Sequence, residues 1–200
     1  MITPDLTLIH LSDTHILPNE GDRTHGVDTM ATFRQVLDLI ASHGLRPDGF
    51  VVTGDLAQVQ MGMPAPTDGA PRRLASMVAI ATHVDAASGD LTSVGAIAAY
   101  TRLRTAVREI EQRFAAPVVV ALGNHDRRED FRVGYLGVEP AGEPYYHSER
   151  IGDLRVIALD SSVPGTPYGD FEPRQLEWLR EELRTPAAGG TLLAFHHPPV

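Results

Sequence analysis

The chain contains no cysteine, which excludes disulfide staples, thiolate-bound zinc and a cysteine nucleophile together. It has no apolar run long enough to cross a bilayer. Its first residues, MITPDLTLIHLSD, lack the basic segment and apolar stretch of a secretory signal, so the cytoplasm is the expected compartment. Positive charge is also in the minority: 17 Lys and Arg stand against 26 Asp and Glu, a net charge of −9. Such a balance speaks against an open surface for a nucleic-acid polymer or an anionic membrane. Phosphate groups remain accessible, because bound metal ions can supply the local positive charge.

What is present suits one domain over residues 1–200 with a sizeable core. Residues 6–11, 49–53, 117–122 and 191–195 read as short apolar strands. Met30, Phe33, Val36, Leu37, Ile40 and Ala41 fall on one helical face, with Asp28 or Thr29 to cap its start and Gly44 to stop it. A second amphipathic helix carries Leu103, Ala106, Val107, Ile110 and Phe114 and closes before Pro117. A short helix near 128–136 precedes a hairpin-like pair at 144–150 and 153–160. Pro173 then opens a helix carrying Leu176, Leu179 and Leu183. Strands alternating with helices predict an α/β domain with much of its sheet parallel, and the 144–160 pair adds antiparallel character.

Residues 57–95 break this rhythm. Gly62, Pro64, Pro66, Gly69 and Pro71 read as loop, followed by one helical face of Leu74, Met77, Val78, Ala81 and Val84. An insertion is expected here, serving as a lid or an interface element, and pairing into a homodimer stays open. The stretch ends in Gly89-Asp90-Leu91, an echo of Gly54-Asp55-Leu56.

Four clusters of ligand-type residues sit at strand ends: Asp13-Thr14-His15, Gly54-Asp55, Gly123-Asn124-His125-Asp126 and His196-His197. In an open α/β sheet, ligands bind at the carboxyl ends of strands. If residues 13–15 are extended, alternation places Asp13 and His15 on one side, able to grip one divalent ion. Asp55 follows an apolar strand and a glycine turn, and its two oxygens can bridge two ions. The plainer alternative is a turn aspartate bonding its own backbone. Asp90 competes for the bridging role, although no strand leads into it. Asn124 offers a neutral oxygen ligand and, with His125, a contact for substrate. His125 can protonate a leaving oxygen, and Asp126 can orient that imidazole and raise its pKa. Adjacent histidines face opposite ways on an extended chain, which favours His196 as the ligand and gives His197 a supporting role. Of the others, His25 in RTHGVD can reach a substrate, and His10 is expected to be structural.

Taken together, the series D-x-H, G-D, G-N-H-D and H-H-P-P resembles the calcineurin-like metallophosphoesterase superfamily. The flanks LSDTHIL, HGVDT, VVTGDL, VVVALGNHD and VIALDSSVPG look most like its bacterial class III cyclic-nucleotide phosphodiesterase branch. Gln58 stands where purple acid phosphatases carry tyrosine, and no Asp-Arg-Gly follows Asp55 as in phosphoprotein phosphatases. The resemblance implies a four-layer α/β/β/α sandwich with mixed sheets. It also implies two divalent metal ions, Fe, Mn or Zn. Asp13, His15 and Asp55 would hold one, and Asp55, Asn124 and His196 the other. The implied reaction is attack on a phosphodiester such as 3′,5′-cyclic AMP by a metal-activated hydroxide. A further G-H-x-H motif of the family, with one histidine for each metal, is absent from this chain. The domain is therefore expected to be incomplete at its C-terminal side, and a catalytically impaired metal-binding remnant or subunit is the alternative to an active hydrolase.

Overall fold

The computed structural model describes residues 6–58 and 89–198, with side chains from residue 93 onward in the second stretch. Three strands, β1 (Leu8–Ser12), β2 (Gly49–Thr53) and β3 (Val118–Ala121), pair in that order and are all parallel. Parallel pairing needs a crossover on a sheet face, and two helices supply it. These are α1 (Thr29–Ser42) between β1 and β2, and α2 (Gly89–Phe114) before β3. Asp28 caps α1, its carboxylate accepting from the Ala31 N–H at 2.9 Å, and Gly44 follows its end in the left-handed region at φ 68°. Met30, Phe33, Leu37 and Ile40 of α1 are buried, as the spacing predicts. Val36 is exposed at the margin of that stripe, a correction to the six-residue face.

Strand alternation splits the residues of the first sheet between two cores. Phe50, Val52, Val120 and Leu122 meet α1 and α2, together with Tyr100, Leu103 and Ile110. Val51, Val119 and Ala121 meet Ile151, Val156, Ala158 and Ala194 of a second sheet. That sheet comprises β4 (His147–Ile151), β5 (Leu154–Ala158) and β6 (Thr191–Ala194). The β4–β5 pair is antiparallel and the β5–β6 pair parallel, so the expected mixture of strand directions is present. Gly49 permits the close approach of the sheets: a Cβ there would overlap the Ile151 side chain.

After β3, a short helix α3 (Arg128–Phe131) runs into a π-helical turn at Arg132–Leu136. Helix α4 (Pro173–Glu182) starts at its proline and lies on the outer side of the second sheet. It is tied there by polar bonds. The buried Gln175 accepts from Asp160 N–H at 2.8 Å and donates to Asp160 C=O at 2.9 Å. Arg155 of β5 donates to the carbonyls of Glu182 and Thr185 at 2.6 and 2.7 Å. The apolar face expected on α4 is corrected accordingly, since Leu183 is exposed and the buried position is Gln175. The layers are thus α, β, β, α.

Of the expected insertion, residues 59–88 lie outside the described residues, including the helix read at 74–84. Ala57 bridges Ile16, and residues 89–95 form the first turns of α2.

Candidate metal centre

Parallel strands deliver their carboxyl ends to one edge, and there the loops after β1, β2 and β3 pair with each other. Asp13 N–H donates to Gly54 C=O at 3.2 Å, His15 N–H to Asp55 C=O at 2.9 Å and Ile16 N–H to Leu56 C=O at 2.9 Å. Gln58 N–H returns a bond to Ile16 C=O at 3.0 Å. Asp13, His15 and Asp55 all lie in the left-handed region, with φ of 56°, 41° and 48°. The expected extended alternation of residues 13–15 is therefore corrected: β1 ends at Ser12, and two left-handed residues bring the exposed Asp13 and the half-buried His15 to Asp55. Each such conformation costs on the order of 1–3 kcal/mol. The four inter-loop bonds contribute about 0.5–1.5 kcal/mol each and offset much of that cost.

Asp55, buried at the end of β2, is the hub. Its Oδ2 lies 3.8 Å from His15 Nε2 and 3.9 Å from His125 Nε2, and its Oδ1 lies 3.5 Å from His196 Nε2. The Oδ1 atom also accepts the His125 backbone N–H at 3.0 Å. These ring contacts are too long for hydrogen bonds. Asp13, His15 and Asp55 form a candidate metal-binding group, with one ligand atom from each within 4.8 Å of the others. Burial lowers the His15 pKa, with Asp55 opposing, which favours the neutral imidazole that a metal requires. His15 Nδ1 is buried without a hydrogen-bond partner. Carboxylate oxygens and neutral imidazole nitrogens grouped in this way fit divalent transition ions.

The motif glycines serve this packing. A Cβ on Gly54, which has φ 59°, would overlap the His196 ring, and one on Gly123 would overlap the Asp55 backbone and carboxylate. Asn124 is half-buried in the loop after β3, beside His125. His197 bonds elsewhere, with its Nδ1 2.8 Å from Ser161 Oγ and its ring edge-on to that of His196. His10 Nε2 pairs with Thr53 Oγ1 at 2.7 Å, a structural contact. His25 stands exposed on a tight turn, where Thr24 and Val27 exchange two backbone bonds of 2.9 Å, and it is not among the rings gathered at Asp55. Asp90 lies in the first turn of α2 rather than at a strand end, and its side chain is outside the described residues.

Asp126 has different partners from those its neighbour His125 suggested. Its Oδ2 accepts from Gly123 N–H at 2.8 Å, and its carboxylate accepts from Leu56 N–H at 3.0 and 3.1 Å and from Ala57 N–H at 3.3 Å. The Tyr100 hydroxyl donates to its Oδ1 at 2.9 Å. The expectation that Asp126 orients the His125 ring is corrected: the carboxylate is spent on the loops themselves. Burial pushes its pKa up to about 7, against the Gly123 and Leu56 N–H groups that favour the charged form. Tyr100 was not evident as a site residue, because it continues the apolar stripe of α2 one turn before Leu103. Arg128 was missed as well. Its Nε donates to Asp160 at 2.9 Å, and its other nitrogens to Gly142 C=O, Glu172 and Ser162 C=O.

Among the described residues, no helix is long and apolar enough to cross a membrane. A family model described as calcineurin-like phosphoesterase matches residues 6–200. A protein named as a probable cyclic nucleotide phosphodiesterase in Rhodococcus erythropolis is 38% identical over 197 residues, covering 98% of this chain and 54% of the relative. A cAMP/cGMP dual specificity phosphodiesterase of Mycobacterium tuberculosis is 36% identical over 197 residues, covering 98% of this chain and 51% of the relative. A 3′,5′-cyclic adenosine monophosphate phosphodiesterase of Pseudomonas aeruginosa is 29% identical over 193 residues, covering 96% and 55%. The chain spans about half the length of these curated relatives.

Proposed function

Because the chain belongs to the calcineurin-like phosphoesterase family, we propose that it is a metal-dependent phosphodiesterase acting on 3′,5′-cyclic nucleotides. The observation that carries this reading is the convergence of His15, His125 and His196 on Asp55, with Nε2 atoms 3.5–3.9 Å from its oxygens. The names of the relatives support the choice of substrate.

In this reading Asp13, His15 and Asp55 hold one divalent ion, and Asp55, Asn124 and His196 a second, with Fe, Mn or Zn suited to such donors. When bound, the ions supply Lewis acidity at the phosphoryl oxygens and make hydroxide available near neutral pH. Asp55 would serve both ions, a role supported by its Oδ2 lying 3.8 Å from His15 Nε2 and its Oδ1 3.5 Å from His196 Nε2. His125, partly exposed beside Asp55, holds a proton on Nε2 for the leaving oxygen. As the attacking oxygen bonds to phosphorus, the bond from phosphorus to the ribose 3′ oxygen breaks, and that oxygen takes the proton from His125. Asn124 and the exposed His25 contribute contacts to the substrate.

The test is turnover of 3′,5′-cyclic AMP to 5′-AMP by the full chain as Mn²⁺ is titrated. Turnover that saturates with metal and is abolished in Asp55→Ala supports the reading. Loss in Asp90→Ala with retention in Asp55→Ala would overturn the ligand assignment. Metal binding without turnover would make the chain a binding remnant.

A further inference from the structure

Helix α2 carries Tyr100 within its buried stripe, between Ala96 and Leu103, and that side chain is fully buried. Its ring is fixed by packing: it stands edge-on to Phe131, with centroids 5.6 Å apart. The close approach of α2 to the π-helical turn helps hold it, since a Cβ on Gly134 would lie 2.7 Å from Tyr100 Cβ. For packing alone, phenylalanine would serve as well, and a buried hydroxyl is costly unless it is bonded. Here both roles of the hydroxyl are used. It donates to Asp126 Oδ1 at 2.9 Å and accepts from the Arg127 N–H at 2.9 Å.

Asp126 accepts from the N–H groups of Leu56 and Ala57 on one loop and of Gly123 on the other. The loop after β2 carries Asp55, and the loop after β3 carries Asn124 and His125. Both are registered on a single carboxylate, and that carboxylate is registered on a helix. We propose that Tyr100 is a positioning residue: its hydroxyl holds Asp126 and, through it, sets Asp55 and His125 in the arrangement that binds metal. This rests on the phosphodiesterase reading only where kinetics are used as a readout.

The experiment compares wild-type protein with Tyr100→Phe by three measurements on the full chain. These are Mn²⁺ binding by calorimetry, exchange of the Leu56, Ala57 and Gly123 amide hydrogens, and kcat and KM for 3′,5′-cyclic AMP. A group bonded directly to a metal ligand is worth about 10–100-fold in affinity; Tyr100 acts one step further out, and its loss is expected to weaken Mn²⁺ binding by about tenfold. The three amides should exchange at least about tenfold faster while the thermal midpoint falls by only a few degrees, the cost of a lost buried hydrogen bond. The loss in turnover should fall on kcat and be recovered by raising Mn²⁺. Wild-type metal affinity and wild-type exchange in Tyr100→Phe would overturn the proposal. Asp126→Asn, which keeps the shape but places an NH₂ where an acceptor stood, should move metal affinity and exchange in the same direction. If Tyr100→Phe does not fold, wild-type behaviour in Asp126→Asn overturns the proposal instead. Should wild-type protein bind Mn²⁺ without turnover, the phosphodiesterase reading fails while binding and exchange still decide Tyr100. Should it bind no Mn²⁺, the exchange rates decide it alone.

Discussion

Asp55 follows β2 in the first sheet and Asp160 follows β5 in the second, both buried at the same edge of the sandwich, yet their surroundings differ. Asp160 Oδ2 accepts from Arg128 at 2.9 Å and from Tyr145 N–H at 3.1 Å, and its Oδ1 accepts from Ser162 N–H at 2.9 Å and Ser162 Oγ at 2.5 Å. Asp55 accepts one backbone N–H and otherwise faces three imidazole rings beyond hydrogen-bond distance. Burying a carboxylate is costly unless charge and donors compensate it. At Asp160 the chain supplies a cation and donors, and the result is a joint between α3 and the second sheet. At Asp55 it supplies imidazole nitrogens beyond hydrogen-bond distance, of which those of His15 and His196 in the proposed reading each share a divalent ion with it. A buried carboxylate whose partners all lie within the protein ties elements of the fold together, and losing one of those partners is costly. On the proposed reading, the one faced by imidazole rings is kept for a metal ion.

The largest effects should separate these two residues. Asp55→Asn is expected to abolish metal-dependent turnover while leaving urea unfolding of the metal-free protein unchanged or slightly improved. Unfolding can be followed by fluorescence of the single tryptophan, Trp178. If Asp55→Asn instead unfolded the chain, the two carboxylates would be alike. Next, His125→Ala should lower kcat for cyclic AMP by about 10²–10⁴-fold. The loss should be much smaller for bis(p-nitrophenyl) phosphate, whose leaving group needs no proton, and Mn²⁺ affinity should stay near wild type.

Arg128→Ala should act on stability. Removing one partner of a buried ion pair costs about 3–5 kcal/mol, read from urea unfolding, and a change below 1 kcal/mol would contradict the structural role given to Asp160. The smallest effect concerns pH and belongs to the second sheet. His147, in β4 with its ring against Tyr145, has its pKa lowered from 6.5 chiefly by burial. Its folded-state value lies below the unfolded one, so the unfolded chain takes up a proton first as pH falls below 6.5. Stability is therefore full above that pH and declines toward the lower folded-state value. His147→Phe should flatten that decline in a series of unfolding curves.

Much of this was legible in the chain. The strand read before Asp55 is β2 and Asp90 lies in the first turn of α2, and the four clusters do come from neighbouring loops. The geometry that unites Asp13 and His15 was not legible, because periodicity reports faces of regular elements and says nothing of two left-handed residues after a strand. Asp126 was misjudged for a related reason: its partners at Leu56 and Ala57 lie about 70 positions away, while the nearest imidazole lies next door. Tyr100 was hidden because the ring of a buried tyrosine satisfies a helical apolar stripe as well as any hydrophobe. Gln175 was hidden conversely, a polar residue doing the work expected of leucines on α4.

Calorimetric titration of Mn²⁺ into wild-type protein, Asp55→Asn and Asp160→Asn tests most directly that Asp55 is the centre of a shared metal site. The expected result is two ions bound by wild type and by Asp160→Asn, with neither site retained in Asp55→Asn. A wild-type isotherm in Asp55→Asn would contradict it.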